Sequence, residues 1–153
     1  MYLKQYLQNL GKSRIKLYVD MDGVIADYIV GAPYDFDKKR PLFSAIAKLE
    51  EISKMDSVEL YILSVSRMNE GIAQKEEWLD KFAPFFRKEN RVILSRERFN
   101  FEKSSSELKN EYVSNIKRDS STIVVIDDDP IILRDMKNTN KDVILLKDTA
   151  LVD

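Results

Sequence analysis

Four aspartates in two short segments are the residues of this sequence most able to do chemistry. They lie in VDMDGV and VIDDDP, as Asp20, Asp22, Asp127 and Asp128. Each segment follows an apolar run typical of a buried strand, and Gly23 permits a sharp turn after the first. If the two strand ends converge, the carboxylates repel one another unless a cation lies between them. Oxygen ligands favour a hard divalent ion, so the sequence predicts a magnesium site.

Each aspartate also has an ordinary structural interpretation. Asp20 and Asp22 could cap the end of a strand or form an Asx turn. In the run Asp127–Asp129, one carboxylate is expected to cap a helix that begins at Pro130, and Asp129 is the better candidate because it directly precedes the proline. Capping does not explain why two separate strands send carboxylates to one edge, whereas a shared cation does.

The composition restricts the chemistry further. The 153 residues contain no cysteine and no histidine, which excludes disulfides, thiol nucleophiles and imidazole bases. A hydrophobic share of 44% supports one packed domain over residues 1–153, and the net charge of -1 gives no overall bias toward nucleic acid or anionic membranes. Neither a signal peptide nor a membrane-spanning run is recognisable, so we expect a cytoplasmic protein without a membrane partner. The composition leaves the oligomeric state open.

Five apolar runs alternate with helical patterns along the chain. The predicted strands are residues 14–20, 58–64, 91–94, 122–127 and 142–147. The predicted helices cover 1–12, start at Pro41, span 69–82 and 104–117 (with Ser104 and Glu107 as a capping box), and follow Pro130. Near-continuous apolar strands are typical of parallel sheets covered on both faces, so the pattern predicts an α/β fold with a doubly wound open parallel sheet of about five strands. Such sheets bind ligands at the carboxyl ends of their strands.

Ser64 and Lys75 complete the set of candidate residues. Ser64 ends the strand VELYILS, where its hydroxyl can donate to a phosphate oxygen, although serine after a strand is also ordinary turn chemistry. Lys75 lies on the helix that follows. It could be solvated surface, or it could supply the positive charge that lets an anionic nucleophile approach an anionic phosphoryl group. Trp78 on the same helix is expected to pack rather than to bind substrate.

Taken in chain order, these segments resemble the four motifs of the haloacid dehalogenase (HAD) superfamily of magnesium-dependent phosphotransferases. DMDGV is similar to the first motif, LYILS to the second, the lysine of KEEW to the third and VIDDD to the fourth. The resemblance spans about residues 16–130. It implies a Rossmann-like HAD core and a phosphomonoester hydrolase that forms an aspartyl-phosphate intermediate.

The resemblance also implies a role for each candidate residue. Asp20 would be the nucleophile, and Asp22 would protonate the leaving alcohol and then deprotonate the attacking water. Ser64 and Lys75 would bind the transferring phosphoryl group. The ligands of the Mg²⁺ cofactor would be Asp20, the Asp22 backbone carbonyl, Asp127 and Asp128. The second acid, Asp22, favours phosphatases over the dehalogenases of the same superfamily.

Two branches of the superfamily look closest. DMDGVIADY, KEEWLDKF and VIDDDP resemble the 5'(3')-deoxyribonucleotidases, whereas PYDFD and the tryptophan-containing helix resemble polynucleotide 3'-phosphatases. Only residues 27–40 remain as a short lid-like insertion, a minimal cap that leaves the site open to larger phosphoesters. The implied substrate is a nucleotide. The alternatives are a 3'-phosphate on a nucleic-acid end, or a sugar or other small-metabolite phosphate.

The segment 95–109 carries basic and aromatic side chains that have two interpretations. Its members are Arg96, Arg98, Phe99, Phe101, Lys103 and Lys109. They could grip a nucleotide or a single strand. The favoured interpretation is a solvated loop with both phenylalanines buried in the core.

Three other classes of protein fit parts of the sequence. Read alone, IVVIDDDPIILRDM resembles the first strand of a response-regulator receiver domain, but a receiver needs several more strands after Asp129 than the remaining chain supplies. A HAD-like phosphate-binding module without activity would have no need to keep all four catalytic and phosphate-binding candidates. A phosphotransferase that uses an acceptor other than water shares the same intermediate, so this alternative stays open.

Overall fold

The central feature of the fold is one sheet of five parallel strands in the order β3-β2-β1-β4-β5. The computed structural model describes residues 2–11, 14–28 and 35–152, and all five strands lie within them. Their bounds are β1 Ile15–Val19, β2 Val58–Ser66, β3 Arg91–Ser95, β4 Thr122–Asp127 and β5 Ile144–Lys147. The predicted open parallel α/β sheet is confirmed. Its order reverses between β1 and β4, the position where such sheets bind ligands.

Helices connect the strands throughout the described residues. They are α1 Tyr2–Asn9, α2 Phe43–Ser53, α3 Glu70–Phe82, α4 Arg96–Phe99, α5 Ser105–Asn115 and α6 Pro130–Thr139. Short 3-10 helices lie at Phe36–Lys38, Lys88–Asn90 and Asp148–Leu151. Within the described ranges, no helix has the length and apolar character that crossing a membrane requires.

Alternate residues of each central strand point into two hydrophobic cores, one on each face of the sheet. On β1, Leu17 and Val19 belong to the first core and Tyr18 to the second. The first core also holds side chains of α1, α2 and α3, and the second holds side chains of α5 and α6. Burial on both faces explains why the strand sequences are almost continuously apolar.

The pairing of the central strands brings the candidate residues to one edge of the sheet. β1 pairs in parallel with β2 on one side and with β4 on the other. Asp20, directly after β1, therefore comes level with Asp127 at the end of β4, and the Asp20 amide donates to the Ile126 carbonyl at 3.0 Å. Ser64, near the end of β2, lies at the same edge.

The N-terminal helix is shorter than residues 1–12 and packs on the rest of the chain. Leu3 and Leu7 of α1 are buried in the first core, whereas Tyr2 and Tyr6 are exposed. Gly11 has a φ of 105°, a backbone conformation that favours glycine and suits a residue following a helix.

The prediction that Pro41 opens the second helix is wrong. α2 begins at Phe43, and Leu42 is its N-terminal flanking residue. Pro41 instead forms a short antiparallel bridge with Ala26, and the Leu42 amide donates to the Ile25 carbonyl at 2.8 Å. These contacts hold the chain extended before α2 and attach it to the turn that follows β1.

Two predicted helix starts are confirmed by their caps. At α5, the Ser104 hydroxyl accepts a hydrogen bond from the Glu107 amide at 3.1 Å. At α6, Asp129 Oδ1 accepts from the Ile131 amide at 2.9 Å, with Pro130 in the first turn. Asp129 is thus the capping member of the three consecutive aspartates.

Candidate active site

The turn after β1 places Asp20 and Asp22 in different surroundings. The Met21 carbonyl accepts hydrogen bonds from the amides of residues 24–26, which closes the turn. Gly23 has a φ of 78°, so the chain turns sharply without the strain that a side chain would add. The Asp20 residue is buried, whereas the Asp22 side chain is 30% exposed. One carboxylate is therefore enclosed by the sheet edge and the other faces outward.

Three carboxylates converge where the strand order reverses. Oxygen atoms of Asp20, Asp127 and Asp128 all lie within 4.8 Å of one another. Asp127 Oδ1 also accepts a hydrogen bond from the Asp129 amide at 3.0 Å, which fixes the turn between β4 and α6. An all-oxygen donor set of this size fits Mg²⁺. The Asp22 carboxylate is outside this cluster. That the backbone carbonyl of Asp22 binds the metal remains a prediction.

Lys109 on α5 is a central residue of the site, whereas the sequence placed it only in the basic and aromatic segment 95–109. Its Nζ lies 2.7 Å from Asp127 Oδ2 and 2.9 Å from Asp20 Oδ1, and its side chain is buried. Hydrophobic periodicity gave only a weak signal for this position, because three of the five buried residues of α5 are polar or charged. The available signal was its place one turn before the apolar Val113, on the same face of the helix.

Burial and neighbouring charges shift the pKa values of this cluster. Burial raises the pKa of Asp20 to about 7; Lys109 opposes the rise and Asp127 adds to it. Burial also raises the pKa of Asp128, and Asp127 again adds to the effect. Burial by itself would lower the pKa of Lys109, but the Asp20 and Asp127 carboxylates outweigh burial and raise it. Ionisation of Asp20 and Asp128 therefore costs free energy in this site. A bound cation would lower that cost, because it stabilises the charged carboxylates.

Ser64 and Lys75, the two predicted phosphate-binding residues, are in direct contact. Lys75 Nζ donates to Ser64 Oγ at 2.6 Å and to the Val65 carbonyl at 3.0 Å. The same nitrogen lies 3.5 Å from Asp22 Oδ2. Burial lowers the pKa of Lys75, and the Asp22 and Asp20 carboxylates oppose the shift. Lys75 is therefore a buried residue of the site, and the interpretation as solvated surface is wrong.

The lid reaches the site through Lys39. Of the predicted lid 27–40, residues 29–34 lie outside the described residues, and these include the first part of PYDFD. Lys39 Nζ donates to Asp22 Oδ1, and the Lys39 carbonyl accepts from Trp78 Nε1 at 2.9 Å. Trp78 is buried against the Phe36 ring, so the prediction that it packs is confirmed.

Every lysine that is buried in the described part of the chain lies beside these carboxylates. The three are Lys39, Lys75 and Lys109. They face the four carboxylates of Asp20, Asp22, Asp127 and Asp128, and when all seven groups are ionised the sum is one net negative charge. A divalent cation would reverse the sign and make the site attractive to a phosphate dianion.

Two cavities adjoin along Asp22 and Tyr28. One has a volume of about 420 Å³ and is lined by the acidic cluster and Lys109. The other has a volume of about 480 Å³ and lies between the lid and the start of α3, where Lys39 and Met68 are among its lining residues. Asp22 therefore lies between the acidic cluster and a groove, and the groove is where the rest of a substrate can extend.

The interpretation of segment 95–109 as a loop with buried phenylalanines is wrong. Phe99 and Phe101 are 59% and 46% exposed. The Arg96 guanidinium organises this turn instead, because it donates to the carbonyls of Phe101 and Lys103. Arg98 is exposed, and Lys103 forms an ion pair with a glutamate of α5. Hydrogen bonds from the Arg96 side chain to backbone carbonyls therefore hold this turn in place, rather than packing of the two phenylalanine rings.

Comparisons with known proteins bear on the fold. A scan against protein-family models and a search of curated proteins found no match. Among solved structures, the chain is similar to a chain of the Pnkp1/Rnl/Hen1 RNA repair complex, with a TM-score of 0.68 and 16% identity over 88% of this chain. This chain spans 42% of the length of that one. It is also similar to the HAD domain of the effector protein Lem4 from Legionella pneumophila, with a TM-score of 0.54 and 18% identity over 89% of this chain and 86% of that domain.

These likenesses show that the chain has the fold of a HAD domain. At 16% and 18% identity they carry the fold alone, so the activity has to be argued from the residues of the site. The resemblance drawn from the four motifs is supported at the level of the superfamily fold, and neither structure selects a branch within it.

Replacing Lys109 tests how far the carboxylates depend on a buried positive charge. Lys109→Met should lower the free energy of unfolding by about 3–5 kcal/mol in metal-free buffer, because it leaves Asp20 and Asp127 close together without their shared partner. Urea denaturation measures the loss. Lys103→Met, which breaks a partly exposed ion pair, is the control and should cost less than about 1 kcal/mol. Equal costs for the two variants would contradict the central role of Lys109.

Replacing Gly23 tests the predicted magnesium site without altering a ligand. A Cβ at position 23 would overlap the Asp128 carboxylate, so Gly23→Ala should displace a ligand and abolish the rise in melting temperature that Mg²⁺ gives the wild type. At a magnesium concentration about a hundred times the Kd, that rise corresponds to about 2.7 kcal/mol. Gly11→Ala is the matched control, since Gly11 also has a positive φ but has nothing within 4 Å of its Cβ position. A full magnesium response in Gly23→Ala would argue against this ligand set.

Proposed function

We propose that this chain is a magnesium-dependent phosphomonoester hydrolase of the HAD type. The observation that carries the proposal is the separation of two neighbouring carboxylates into different surroundings. Asp20 is buried within the acidic cluster, and Asp22 lies outside it, between two lysines and beside a groove. Phosphoester hydrolysis of this type needs a nucleophile next to a cation site, where Asp20 lies. It also needs a proton donor next to the leaving group, which matches the position of Asp22 beside the groove.

The proposed reaction has two displacement steps. Asp20 attacks phosphorus through a carboxylate oxygen, and an O–P bond forms as the bond to the leaving alcohol breaks. Asp22 gives a proton to the departing oxygen. A water molecule then attacks the aspartyl-phosphate while Asp22 takes its proton, which frees Asp20 and releases inorganic phosphate. Lys109 orients Asp20 through its contact at Oδ1 during both steps.

Ser64 and Lys75 are proposed to bind the phosphoryl group as it is transferred. Their polar atoms are 2.6 Å apart, and both can donate hydrogen bonds to an anion. The burial of Lys75 supports this role, because removal of water strengthens the attraction between its ammonium group and a phosphate oxygen.

Mg²⁺ is the proposed cofactor, held by Asp20, Asp127, Asp128 and the backbone carbonyl of Asp22. The all-oxygen donor set and the raised pKa values of Asp20 and Asp128 support this assignment. When bound, the ion offsets the negative charge of the phosphate and the carboxylates.

A nucleotide is the proposed substrate, and the 3'-phosphate of a nucleic-acid end is the second candidate. The groove beside Asp22 offers Tyr28 and Met68, whose side chains suit the planar face of a base. The short lid and the likeness in fold to a chain of an RNA repair complex are the support for the second candidate. Sugar and small-metabolite phosphates are the remaining alternative.

An inactive phosphate-binding module is the non-enzyme alternative. It would share the lysines and the acidic cluster, but it would have no use for a second carboxylate placed between that cluster and a groove. A receiver domain is disfavoured by topology, because the triple-aspartate strand is β4 and its cluster is completed by Asp20 after β1.

Replacement of Asp20 tests the enzyme against the binding module. With Mg²⁺, the wild type should hydrolyse p-nitrophenyl phosphate, and Asp20→Asn should remove that activity because an amide oxygen is a far weaker nucleophile. Excess EDTA should remove it as well. Asp56→Asn, an exposed position before β2 at the opposite end of the strands, is the control and should retain the wild-type rate. Activity that survives EDTA or Asp20→Asn would refute the mechanism, and an inactive wild type would favour the binding module.

A substrate panel tests the nucleotide assignment. We expect the highest kcat/KM for nucleoside monophosphates or 3'-phosphorylated oligonucleotides, measured as phosphate release with Mg²⁺ at equal substrate concentrations. A preference for the oligonucleotides would assign the chain to nucleic-acid ends, since an open groove accommodates the chain beyond the terminal nucleotide. A preference for sugar phosphates over both would exclude the nucleotide assignment.

A further inference from the structure

Lys39 is a buried lysine to which the reaction described above gives no role. Its side chain is 2% exposed, and its Nζ donates to Asp22 Oδ1. Burial of an ammonium group is costly unless the group is paired and hydrogen-bonded, so the contact with Asp22 is what permits this position. Lys39 comes from the lid and lies in none of the four segments that carry the HAD resemblance.

The backbone and the side chain of Lys39 are fixed by separate contacts. Its carbonyl accepts a hydrogen bond from Trp78 Nε1 at 2.9 Å, which ties the lid to α3. Its Nζ lies 5.0 Å from the centre of the Phe36 ring and 5.6 Å from that of the Tyr28 ring. Aromatic faces attract a cation, so the two rings favour the position of the Lys39 ammonium group beside Asp22.

The two carboxylate oxygens of Asp22 have different neighbours. Oδ1 accepts from Lys39, whereas Oδ2 lies 3.5 Å from Lys75 Nζ, beyond ordinary hydrogen-bond length. Lys75 is itself engaged by Ser64 and the Val65 carbonyl. Oδ2 is thus the freer oxygen. A carboxylate that is held at one oxygen presents the other in a defined direction.

We propose that Lys39 is a positioning residue that holds Asp22 as the proton donor for the leaving group, an inference that rests on the proposed function. In the first step the proton on Asp22 Oδ2 moves to the leaving oxygen, and the electron pair of the breaking P–O bond stays on that oxygen. Asp22 is then fully ionised, and the Lys39 ammonium balances the new charge at Oδ1. In the second step Oδ2 takes the proton from the attacking water.

The nature of the leaving group distinguishes this role from substrate binding. A nitrophenolate leaves without protonation, whereas an alkoxide needs a proton as its bond to phosphorus breaks. Asp22 also serves the second step, which is the same for both substrates, so kcat/KM is compared because it reports only the steps up to release of the leaving group. Loss of Asp22 positioning should therefore lower kcat/KM for alkyl phosphates far more than for aryl phosphates. Loss of a phosphate-binding group would raise KM for both substrates alike.

The test compares Lys39→Met with the wild type on p-nitrophenyl phosphate and on the alkyl phosphate that the wild type hydrolyses fastest in the substrate panel. We expect kcat/KM to fall about a hundredfold on the alkyl phosphate and less than about tenfold on the aryl phosphate. Lys38→Met is the matched control, because Lys38 is exposed and forms an ion pair with Asp35 at the surface. It should leave both rates unchanged.

A double-mutant cycle separates positioning from a general structural effect. In an Asp22→Asn background, Lys39→Met should have little further effect on the alkyl phosphate, because the group it positions is already absent. If Lys39→Met does not fold, Trp78→Phe replaces it: this variant keeps a ring in the core and removes the donor to the Lys39 carbonyl. It should give the same preference for the aryl substrate with a smaller loss.

The possible outcomes are distinguishable. Equal losses of kcat/KM on both substrates, or additive losses in the cycle, would overturn the role of Lys39 and leave the phosphatase intact. A wild type that hydrolyses no phosphoester would overturn the proposed function and the role of Lys39 with it.

Discussion

Repulsion between carboxylates at the ends of two adjacent strands is the constraint on which the rest of this structure depends. Parallel pairing of β1 and β4 brings Asp20 level with Asp127, and Asp128 follows at once. Water cannot screen charges at a buried edge, so the positive charge must come from the protein or from an ion. All three lysines that are buried in the described ranges lie at this edge, and one net negative charge remains when they and the four carboxylates are ionised. That remaining negative charge attracts a divalent cation.

The lysines divide into two groups with different neighbours. Lys109, from α5, lies on the side of the acidic cluster and pairs with the nucleophile candidate. Lys39 and Lys75 come from the lid and α3, and both face Asp22 on the side of the groove. Three separate connections of the sheet thus supply the positive charges. A short lid is sufficient to supply its share of this charge, because Lys39, whose carbonyl is bound by Trp78, reaches Asp22.

The order and type of the elements were predictable from local sequence. Five apolar runs of strand length, separated by helical patterns, identify a parallel sheet because both faces of each strand are buried. The caps Ser104 and Asp129 were predictable because capping is decided by residues within one turn. Local rules failed where distant contacts decide the conformation. The bridge to Ala26 holds Pro41 outside α2, and Arg96 binds the backbone carbonyl of Phe101, whose ring is exposed.

The sequence by itself determined which carboxylates meet, because strand ends in a parallel sheet share one edge and the aspartates directly follow their strands. Only the tertiary structure decided which lysines serve them. A lysine side chain is long, and its burial depends on what a helix or lid packs against rather than on its neighbours in sequence. In the sequence, Lys109 belongs to a segment predicted to be a basic surface loop, and Lys39 belongs to the predicted lid. Folding buries both, because the free energy of an ion pair with the strand-end carboxylates offsets the cost of removing each ammonium group from water.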